Sequence, residues 1–545
     1  MSDLLAKLRK NNVFWLVVVF VVFDLIYLFF YLLPVMQKQQ GVSGLFLKLS
    51  DYLPLLFIVV SLIGLITIDV SRKLGLPSFS RINNYKHYLP QVTLAVYFVF
   101  FTLLAFKRDQ NLMTGTFDYG LQRQLLWNIS QGRWFASSLE VNNYLGDHFS
   151  VLAIIPGLLF RIFSHPLFLF AFQTFMVTLA AAAIYKIFLS LNKSRPFAYV
   201  FMLIFCFYMG VSGLLLADIH IEVMALPLLC WGLYLFFISG KHEKLGIVLL
   251  LLAVLAKEDI GIAVGSIGLA GLFIKKDRKS AILLLGFLFS VLEILVLIPA
   301  VRGAPSDTLA RYAVWGSSGT EIIVNIVTHP LAVAGHLLQE AQLTYLVRLL
   351  FPLAFLPLLS GKRFLIVLPS MMINLLTNYE GQLSTLNQYD IATTAILFFA
   401  AAYGLKYLQI WLQKKKQWKS VATSAMTMII FFNLLLLPGH LLWKYVLIRI
   451  ENYDDYLYLQ QLNSKIPENA VLVATDKPGA QLSEHEHLFT YNPQLSRLRG
   501  EPDFVVIDKL RDVKELEVKP IDYYLKNKNF RIFDQTDHFL VLKKN

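Results

Sequence analysis

Long runs of apolar residues, separated by short polar stretches, cover the first four fifths of the chain. Two of the clearest runs are VFWLVVVFVVF (13–23) and AILLLGFLFSVLEILVLIPA (281–300). A helix needs roughly 20 predominantly apolar residues to cross the hydrocarbon core of a bilayer. The pattern therefore predicts an all-α polytopic membrane protein.

Counting the runs predicts about 13 transmembrane helices. They are expected near 13–34, 53–70, 88–106, 167–189, 197–216, 223–239, 245–256, 260–274, 281–300, 346–360, 363–378, 390–409 and 421–442. The apolar segment 150–163 is not counted, because counting it would move the basic stretch KKDRK (275–279) to the outside. We expect this segment to lie in the outer interface of the membrane.

The distribution of charge gives the orientation. With the N-terminus in the cytoplasm and alternating spans, the inner segments carry 23 basic residues against four acidic ones. The outer segments before residue 443 carry 11 basic residues, if Arg348 near the outer end of the span at 346–360 is included, and 14 acidic residues. This asymmetry is what the positive-inside rule predicts. The expected location is therefore the plasma (cytoplasmic) membrane, with a cytoplasmic N-terminus.

Composition supports this class of protein and excludes another. Of the 545 residues 57% are hydrophobic and only 16% are charged, with a mean hydropathy of +0.59. The formal net charge of +13 is mostly the orientation signal just described. Because no basic patch with interleaved aromatic residues appears, we expect no nucleic-acid partner.

Beyond residue 443 the pattern changes to short alternating segments. ENAVLVATDKPG (468–479), PDFVVIDKL (502–510) and HFLVLKKN (538–545) are typical of strands. Helical segments lie between them, and the region is near neutral, with 15 basic and 16 acidic residues. The sequence thus predicts a small extracytoplasmic α/β domain over 443–545, after a transmembrane module over 88–442 and an N-terminal two-helix addition over 1–87.

Polar residues gather in the outer segments, which include the large loop 107–166. Each residue alone is best interpreted as a helix end meeting water, but the repetition over four outer turns suggests a site. Carboxylates can act as bases, Lys, Arg and His can hold a phosphate, and Asp with His can bind a divalent cation. The candidates are Asp118, Arg123, Asp147, His148, Asp218, His220, Glu222, Lys257, Glu258, Asp259, Asn378 and Tyr379.

Transport is the alternative interpretation. Asp24 and Glu293 lie inside predicted spans, where an acidic residue could relay protons. Against transport, no pair of matching halves is visible, and most polar residues lie at the outer face instead of the middle of the membrane.

Several segments resemble a known family of membrane proteins. They are FDYGLQRQLLWNISQGRWFASS (117–138), NYLGDHFSVLAIIPGLLFRIF (143–163), ADIHIEVMALPLL (217–229), LLAVLAKEDIGIAV (251–264), the stretch 349–390 and IPENAVLVATDKPGAQLSEHEHLF (466–489). The family is domain of unknown function 2079. More broadly the chain resembles GT-C membrane glycosyltransferases, which have an acidic catalytic residue in a first large outer loop.

The resemblance implies roles for the candidate residues. Asp118 matches the usual position of the catalytic aspartate, although Tyr119 follows it where many members of that superfamily have a second acid. Lys257, with Arg123 or His148, would hold the departing phosphate. The other candidates would line the cavity, and Asp118, Asp147, His148 and His220 are the candidates for binding Mg²⁺ or Mn²⁺.

The resemblance also implies an activity. It predicts a hexosyl- or pentosyltransferase that takes a sugar from a polyprenyl-phosphate carrier at the outer face and transfers it, with inversion, to an unknown acceptor. The partners would be this lipid and the surrounding membrane lipids. The alternative is a transporter or flippase of a lipid-linked substrate.

Overall fold

The computed structural model describes residues 88–140, 142–414, 451–491, 500–511, 524 and 529–545. The predicted spans at 13–34, 53–70 and 421–442, and with them Asp24, lie outside these residues. The chain divides into two units, Met1–Pro90 with Lys406–Leu436, and Gln91–Leu405 with Leu437–Asn545. Every candidate site residue belongs to the second unit.

The described part of the chain is mostly helical. Its α-helices are α1 (Leu89–Gln110), α2 (Leu121–Ser130), α3 (Ile154–Phe160), α4 (Pro166–Asn192), α5 (Arg195–Phe207), α6 (Met209–Leu216), α7 (Ala225–Tyr234), α8 (Glu243–Val254), α9 (Ile260–Ala270), α10 (Leu285–Leu292), α11 (Ile298–Arg302), α12 (Gly319–Thr328), α13 (Pro330–Leu337), α14 (Glu340–Leu350), α15 (Leu368–Leu375), α16 (Glu380–Leu383), α17 (Ile391–Lys414), α18 (Tyr453–Lys465) and α19 (Asp476–Gln481). Short 3₁₀ and π turns extend or join several of these helices.

Five helical segments among the described residues are long and apolar enough to cross a membrane. They are Leu89–Gln110, Pro166–Asn192, Ile221–Ser239, Arg278–Arg302 and Gln388–Lys414. Two bent pairs, one of them α5 with α6 at 43°, raise the number to seven if each pair is one span. These segments fall where the sequence predicts the spans at 88–106, 167–189, 197–216, 223–239, 281–300 and 390–409.

The remaining predicted spans look different in the structure. Glu340–Leu353 and Leu356–Ile366 meet at an angle of 115° and are followed by the short helix α15, where two straight spans were expected at 346–360 and 363–378. The predicted pair 245–256 and 260–274 forms α8, which has 12 residues, and the apolar helical segment Ile260–Lys275, in which α9 continues into a π-helical turn. Both are shorter than the roughly 20 residues that a straight span needs.

Local sequence explains where the long helix α4 begins and ends. The ring of His165 accepts a hydrogen bond from the N–H of Leu167 at 3.1 Å, and Pro166 occupies the first turn, where its missing N–H costs nothing. The helix ends at Lys193, which has a left-handed φ of 53°. On one face Ala180 is fully buried, and a small residue there allows a neighbouring helix to approach closely.

The segment Arg278–Arg302, unlike the buried face of α4, has an exposed apolar face. Leu285, Leu288, Val291 and Leu295 are each more than half exposed. Contiguous apolar exposure of this kind marks contact with lipid or with another protein. The segment Val151–Phe160, by contrast, has only ten residues in its helical part and a rise of about 15 Å, which fits the predicted interfacial position better than a span.

The C-terminal part contains a five-stranded sheet. Its strands are β3 (Val471–Ala474), β4 (His487–Thr490), β5 (Phe504–Asp508), β6 (Phe530–Gln535) and β7 (Phe539–Lys544), in the order β4-β3-β5-β7-β6. β4, β3 and β5 are parallel, and β7 is antiparallel to both β5 and β6. A smaller pair, β1 (Ala136–Ser137) and β2 (Asn142–Asn143), lies in the large loop. β3, β5 and β7 lie within the three segments that the sequence predicts as strands, whereas β4 and β6 lie outside them. The extracytoplasmic position of the sheet stays a prediction.

Candidate functional site

Asp118 lies in a single π-helical turn, Thr116–Gly120, which runs directly into α2. Its neighbours Thr116, Tyr119 and Gly120 are buried, whereas Asp118 itself is exposed. The Asp118 side chain has no hydrogen bond and no ion pair with any residue that the structure describes. A carboxylate that is exposed on a buried backbone turn, without a partner among the described residues, can contact a substrate.

Asp218, on the loop between α6 and α7, holds the start of this turn. Its Oδ2 accepts a hydrogen bond of 2.7 Å from the N–H of Gly115, and its Oδ1 lies 3.5 Å from the guanidinium of Arg108. Burial raises the pKa of Asp218, and the charge of Asp118 raises it further, whereas Arg108 and the Gly115 N–H lower it. The net result is a raised pKa, and burial is its largest cause.

The start of α19 contacts the same turn from the C-terminal sheet. Asp476 Oδ1 accepts a hydrogen bond of 2.7 Å from the N–H of Thr116, and the Asp476 carbonyl accepts one of 2.5 Å from the Thr116 hydroxyl. Lys477 donates to the carbonyl of Thr114 at 3.2 Å. Residues separated by about 360 positions in the sequence thus meet at the candidate catalytic turn.

Arg123, predicted to help Lys257 hold the phosphate, has an ion-pair partner in the C-terminal part of the chain. It is 1% exposed, and its guanidinium contacts Glu484 at 3.0 Å and the carbonyl of Gln481 at 3.2 Å. Gln124 beside it donates to the carbonyl of His485 at 2.9 Å. These contacts join α2 to the segment after α19, and they give Arg123 a structural partner.

His148 and Glu258 form the centre of a second polar group. Their Nδ1 and Oε1 atoms are 2.9 Å apart, and His148 Nε2 lies 3.7 Å from Asp147. Burial lowers the pKa of His148, but Asp147 and Glu258 raise it more, to about 9. Burial likewise raises the pKa of Glu258, while His148 and Lys257 lower it to about 2. At neutral pH this pair is therefore an imidazolium with a carboxylate.

Lys257 belongs to the same group. It is 5% exposed, and its Nζ lies 3.5 Å from Glu222, which is itself 3.9 Å from Nδ1 of His220. Burial lowers the pKa of Lys257, but the charges of Glu222 and Asp259 raise it to a net value above the ordinary one. The lysine is therefore a buried cation held among carboxylates.

An aromatic ring connects Lys257 with a second cation. Lys257 Nζ lies 5.2 Å from the ring centre of Tyr389, and the guanidinium of Arg311 lies 5.2 Å from the same centre. Arg311 also lies 5.1 Å from the ring of Tyr379, and the Arg311 carbonyl accepts a hydrogen bond from the N–H of Asn378 at 2.9 Å. The two cations face an electron-rich ring that stabilises both.

The two polar groups form one continuous line. Asp218 binds the N–H of Gly115, three residues before Asp118, and it stands two residues before His220 in the chain. From His220 the line continues to Glu222 and Lys257 over the distances given above. The site thus runs from an exposed carboxylate to a buried cation, entirely on loops and helix ends.

Several buried carboxylate oxygens in this region lack partners among the described residues. They are Glu258 Oε2, Asp259 Oδ1 and both oxygens of Glu293. Glu293 is fully buried and lies within Arg278–Arg302. Burial raises the pKa of Asp259, and Glu258 raises it further. No group of three or more His, Cys, Asp or Glu side chains within the described ranges is arranged to hold a metal ion. The predicted divalent cation stays a prediction.

The structure therefore brings together most of the residues that the sequence singled out. Arg123 joins a different set of contacts, and Asn378 and Tyr379 are exposed at the edge, beside Arg311. Sequence reasoning missed Arg311, Tyr389 and Asp476. Tyr389 and Asp476 stand in segments that carried the family resemblance, NQYD and TDKPG, and this was the available signal.

The fold and the site define a polytopic membrane protein with a charged site on the loops outside its spans. Its sequence matches the family of predicted membrane proteins DUF2079 over residues 108–541, and the protein belongs to this family. The resemblance seen in the sequence is thus confirmed, and the family region extends through the C-terminal sheet. No curated protein matches the chain.

Two solved structures are similar to the chain at low identity. The crystal structure of ArnT from Cupriavidus metallidurans bound to undecaprenyl phosphate matches with 10% identity and a TM-score of 0.45, covering 82% of this chain and 97% of that one. The same protein in the apo state matches with 11% identity and a TM-score of 0.45, covering 83% and 98% of the two chains.

Proposed function

We propose that this protein is an integral membrane glycosyltransferase of the GT-C type. It would take a sugar from a polyprenyl-phosphate carrier at the outer face of the membrane and transfer it to an acceptor. The proposal rests on the continuous line of polar residues that runs from Asp118 to the buried cation Lys257. Asp118 is exposed and has no partner among the described residues. Such a line offers a base at one end and a phosphate-binding charge at the other.

Asp118 acts as the general base in this proposal. The acceptor hydroxyl or amine attacks the anomeric carbon of the sugar while Asp118 takes its proton. The bond between this carbon and the phosphate oxygen breaks, and the phosphate oxygen keeps the bonding electron pair. A single displacement of this kind inverts the anomeric configuration.

The cations stabilise the leaving group. Lys257 and protonated His148 supply positive charge where the polyprenyl phosphate gains negative charge as the bond breaks. Arg311, which also lies 5.2 Å from the centre of the Tyr389 ring, offers a planar guanidinium that suits phosphate oxygens. Glu222 and Glu258 offset the positive charges of Lys257 and His148.

The carrier tail has a matching surface. An apolar groove of about 440 Å³ lies between α8 and α10, lined by residues that include Leu251, Leu255 and Phe289. Leu255 stands two positions before Lys257 along the chain. A polyprenyl tail in this groove would leave its phosphate near the lysine.

The test is donor consumption by the reconstituted protein. Wild-type protein in vesicles receives a panel of labelled polyprenyl-phosphate sugars together with envelope extract as the source of acceptor, and released polyprenyl phosphate is measured. Removing a general base typically costs about 10²- to 10⁴-fold in rate. We expect at least about a 100-fold loss in Asp118→Asn. The matched control is Asp537→Asn, an exposed loop acid in the C-terminal sheet.

One observation favours the alternative, a transporter or flippase of a lipid-linked substrate. Glu293 is a fully buried acid within a candidate span, and both of its oxygens lack partners among the described residues. Buried intramembrane acids are often functional. No release of polyprenyl phosphate by the wild-type protein, together with lipid translocation that Glu293→Gln abolishes, would support this alternative and reject the transferase.

A further inference from the structure

The segment that follows the parallel strand β3 lies against the Asp118 turn. Thr475 follows β3 and donates its N–H to the carbonyl of Val506 in β5 at 3.0 Å. Its hydroxyl accepts a hydrogen bond of 2.9 Å from the N–H of Asp508. The next residue, Asp476, is thereby fixed at the edge of the sheet where open α/β sheets usually bind ligands. Here that edge contacts another part of the same chain.

Packing between α19 and the turn is close enough to depend on two glycines. A Cβ atom at Gly479 would lie 2.5 Å from the Thr116 hydroxyl, and one at Gly120 would lie 3.2 Å from Cα of Ala480. The backbone of α19 therefore touches the backbone of the turn directly. Side-chain adjustments have little room to absorb a displacement there.

The Asp118 side chain has no described partner, so only its backbone determines where its carboxylate lies. That backbone is a π-helical turn, an uncommon conformation that is frequent at functional sites. Asp476 binds the N–H and the hydroxyl of Thr116, two residues before Asp118, at 2.7 and 2.5 Å. Gly115 is held by Asp218 at the same end of the turn.

We propose that Asp476 is a positioning residue that acts through Thr116 to hold Asp118 in place for the transfer reaction. This inference rests on the proposed function. Asp476 would set the position of the base and leave donor binding to the other end of the site. A displacement of about 1 Å at a reacting group can cost about 100-fold in rate.

The experiment compares three variants of the full-length protein. Asp476→Ala removes the Oδ1 acceptor, and we expect kcat to fall about 10- to 100-fold while KM for the donor changes less than about twofold. Asp476→Asn keeps an Oδ1 acceptor and should retain kcat within about threefold. Asp503→Ala is the matched control, because Asp503 likewise accepts a hydrogen bond from a backbone N–H (Val471, 2.9 Å) in the same sheet. Its kcat should match wild type.

Amide hydrogen exchange over residues 114–120 supplies a readout that does not depend on transfer. Asp476→Ala should speed exchange there, and Asp476→Asn and Asp503→Ala should not. Wild-type kcat in Asp476→Ala with an inactive Asp118→Asn would overturn the positioning role and leave the proposed function standing. The positioning role would also be overturned if Asp476→Asn lost as much kcat as Asp476→Ala. The same holds if Asp503→Ala lost as much kcat as Asp476→Ala. An active Asp118→Asn would instead end the assignment of Asp118 as the general base, and wild-type protein that consumes no donor would overturn the proposed function.

Discussion

The pairing of His148 with two carboxylates predicts a pH-dependent stability. Its imidazole lies 2.9 Å from Glu258 and 3.7 Å from Asp147, and its side chain is only 16% exposed. Burial alone would lower the pKa of His148, but the two acids raise it from 6.5 to about 9. The folded protein therefore binds the proton more tightly than the unfolded chain.

The sign and size of the effect follow from this shift. A raised folded-state pKa contributes stability that is fully present below pH 6.5 and is lost as the pH rises through about 9. One pKa unit corresponds to 1.36 kcal/mol, so the shift of about 2.5 units corresponds to roughly 3 kcal/mol. This amount is large compared with typical net stabilities of about 5–15 kcal/mol.

The assay is thermal unfolding of the purified protein in detergent between pH 6 and pH 10. His148→Gln keeps an N–H donor for Glu258 but cannot be charged. Wild type should be the more stable protein at pH 6. The difference in the free energy of unfolding between wild type and His148→Gln should shrink by roughly 3 kcal/mol as the pH rises to 9.5. Comparing the two proteins cancels the titration of all other groups. A gap that does not change with pH would refute the reasoning.

Two further predictions concern other parts of the fold. Arg123→Met should leave Glu484 without its cation and lower the unfolding temperature, because breaking a buried ion pair typically costs about 3–5 kcal/mol. Limited proteolysis measures the loosening of the segment after residue 476. Faster cleavage there would confirm the prediction, and an unchanged cleavage rate would contradict it. Cys206 and Cys230 are both buried. In an Asp537→Cys variant, a membrane-impermeant maleimide added to intact cells should therefore label the new cysteine. Labelling only after lysis would place the C-terminal sheet in the cytoplasm.

The sequence predicts the long spans of this fold because each one is a continuous apolar run. Arg278–Arg302 and Gln388–Lys414 could be recognised this way. The bend of 115° before Leu356 could not, because the turn residues Ala354 and Phe355 have a positive φ (48° and 54°) without the glycine that usually signals it. Apolar content alone does not distinguish a straight span from a broken one.

The site could be predicted only as far as neighbours in sequence are neighbours in space. Asp147 and His148 are adjacent, and Lys257, Glu258 and Asp259 share one turn. The partner of Thr116 is 360 positions away, and no periodicity encodes such a contact. Arg311 was not predicted as a site residue, because a single arginine in a polar loop is usually solvated. Its place in the candidate site depends on its contact with the Tyr389 ring.

The most direct test of the central claim is an experimental structure of the protein in nanodiscs with an added polyprenyl phosphate. The account predicts a tail between α8 and α10 and a phosphate in contact with Lys257, with the carboxylate of Asp118 facing the space beside it. A lipid bound at mid-membrane around Glu293, with Asp118 hydrogen-bonded away from the site, would contradict the account.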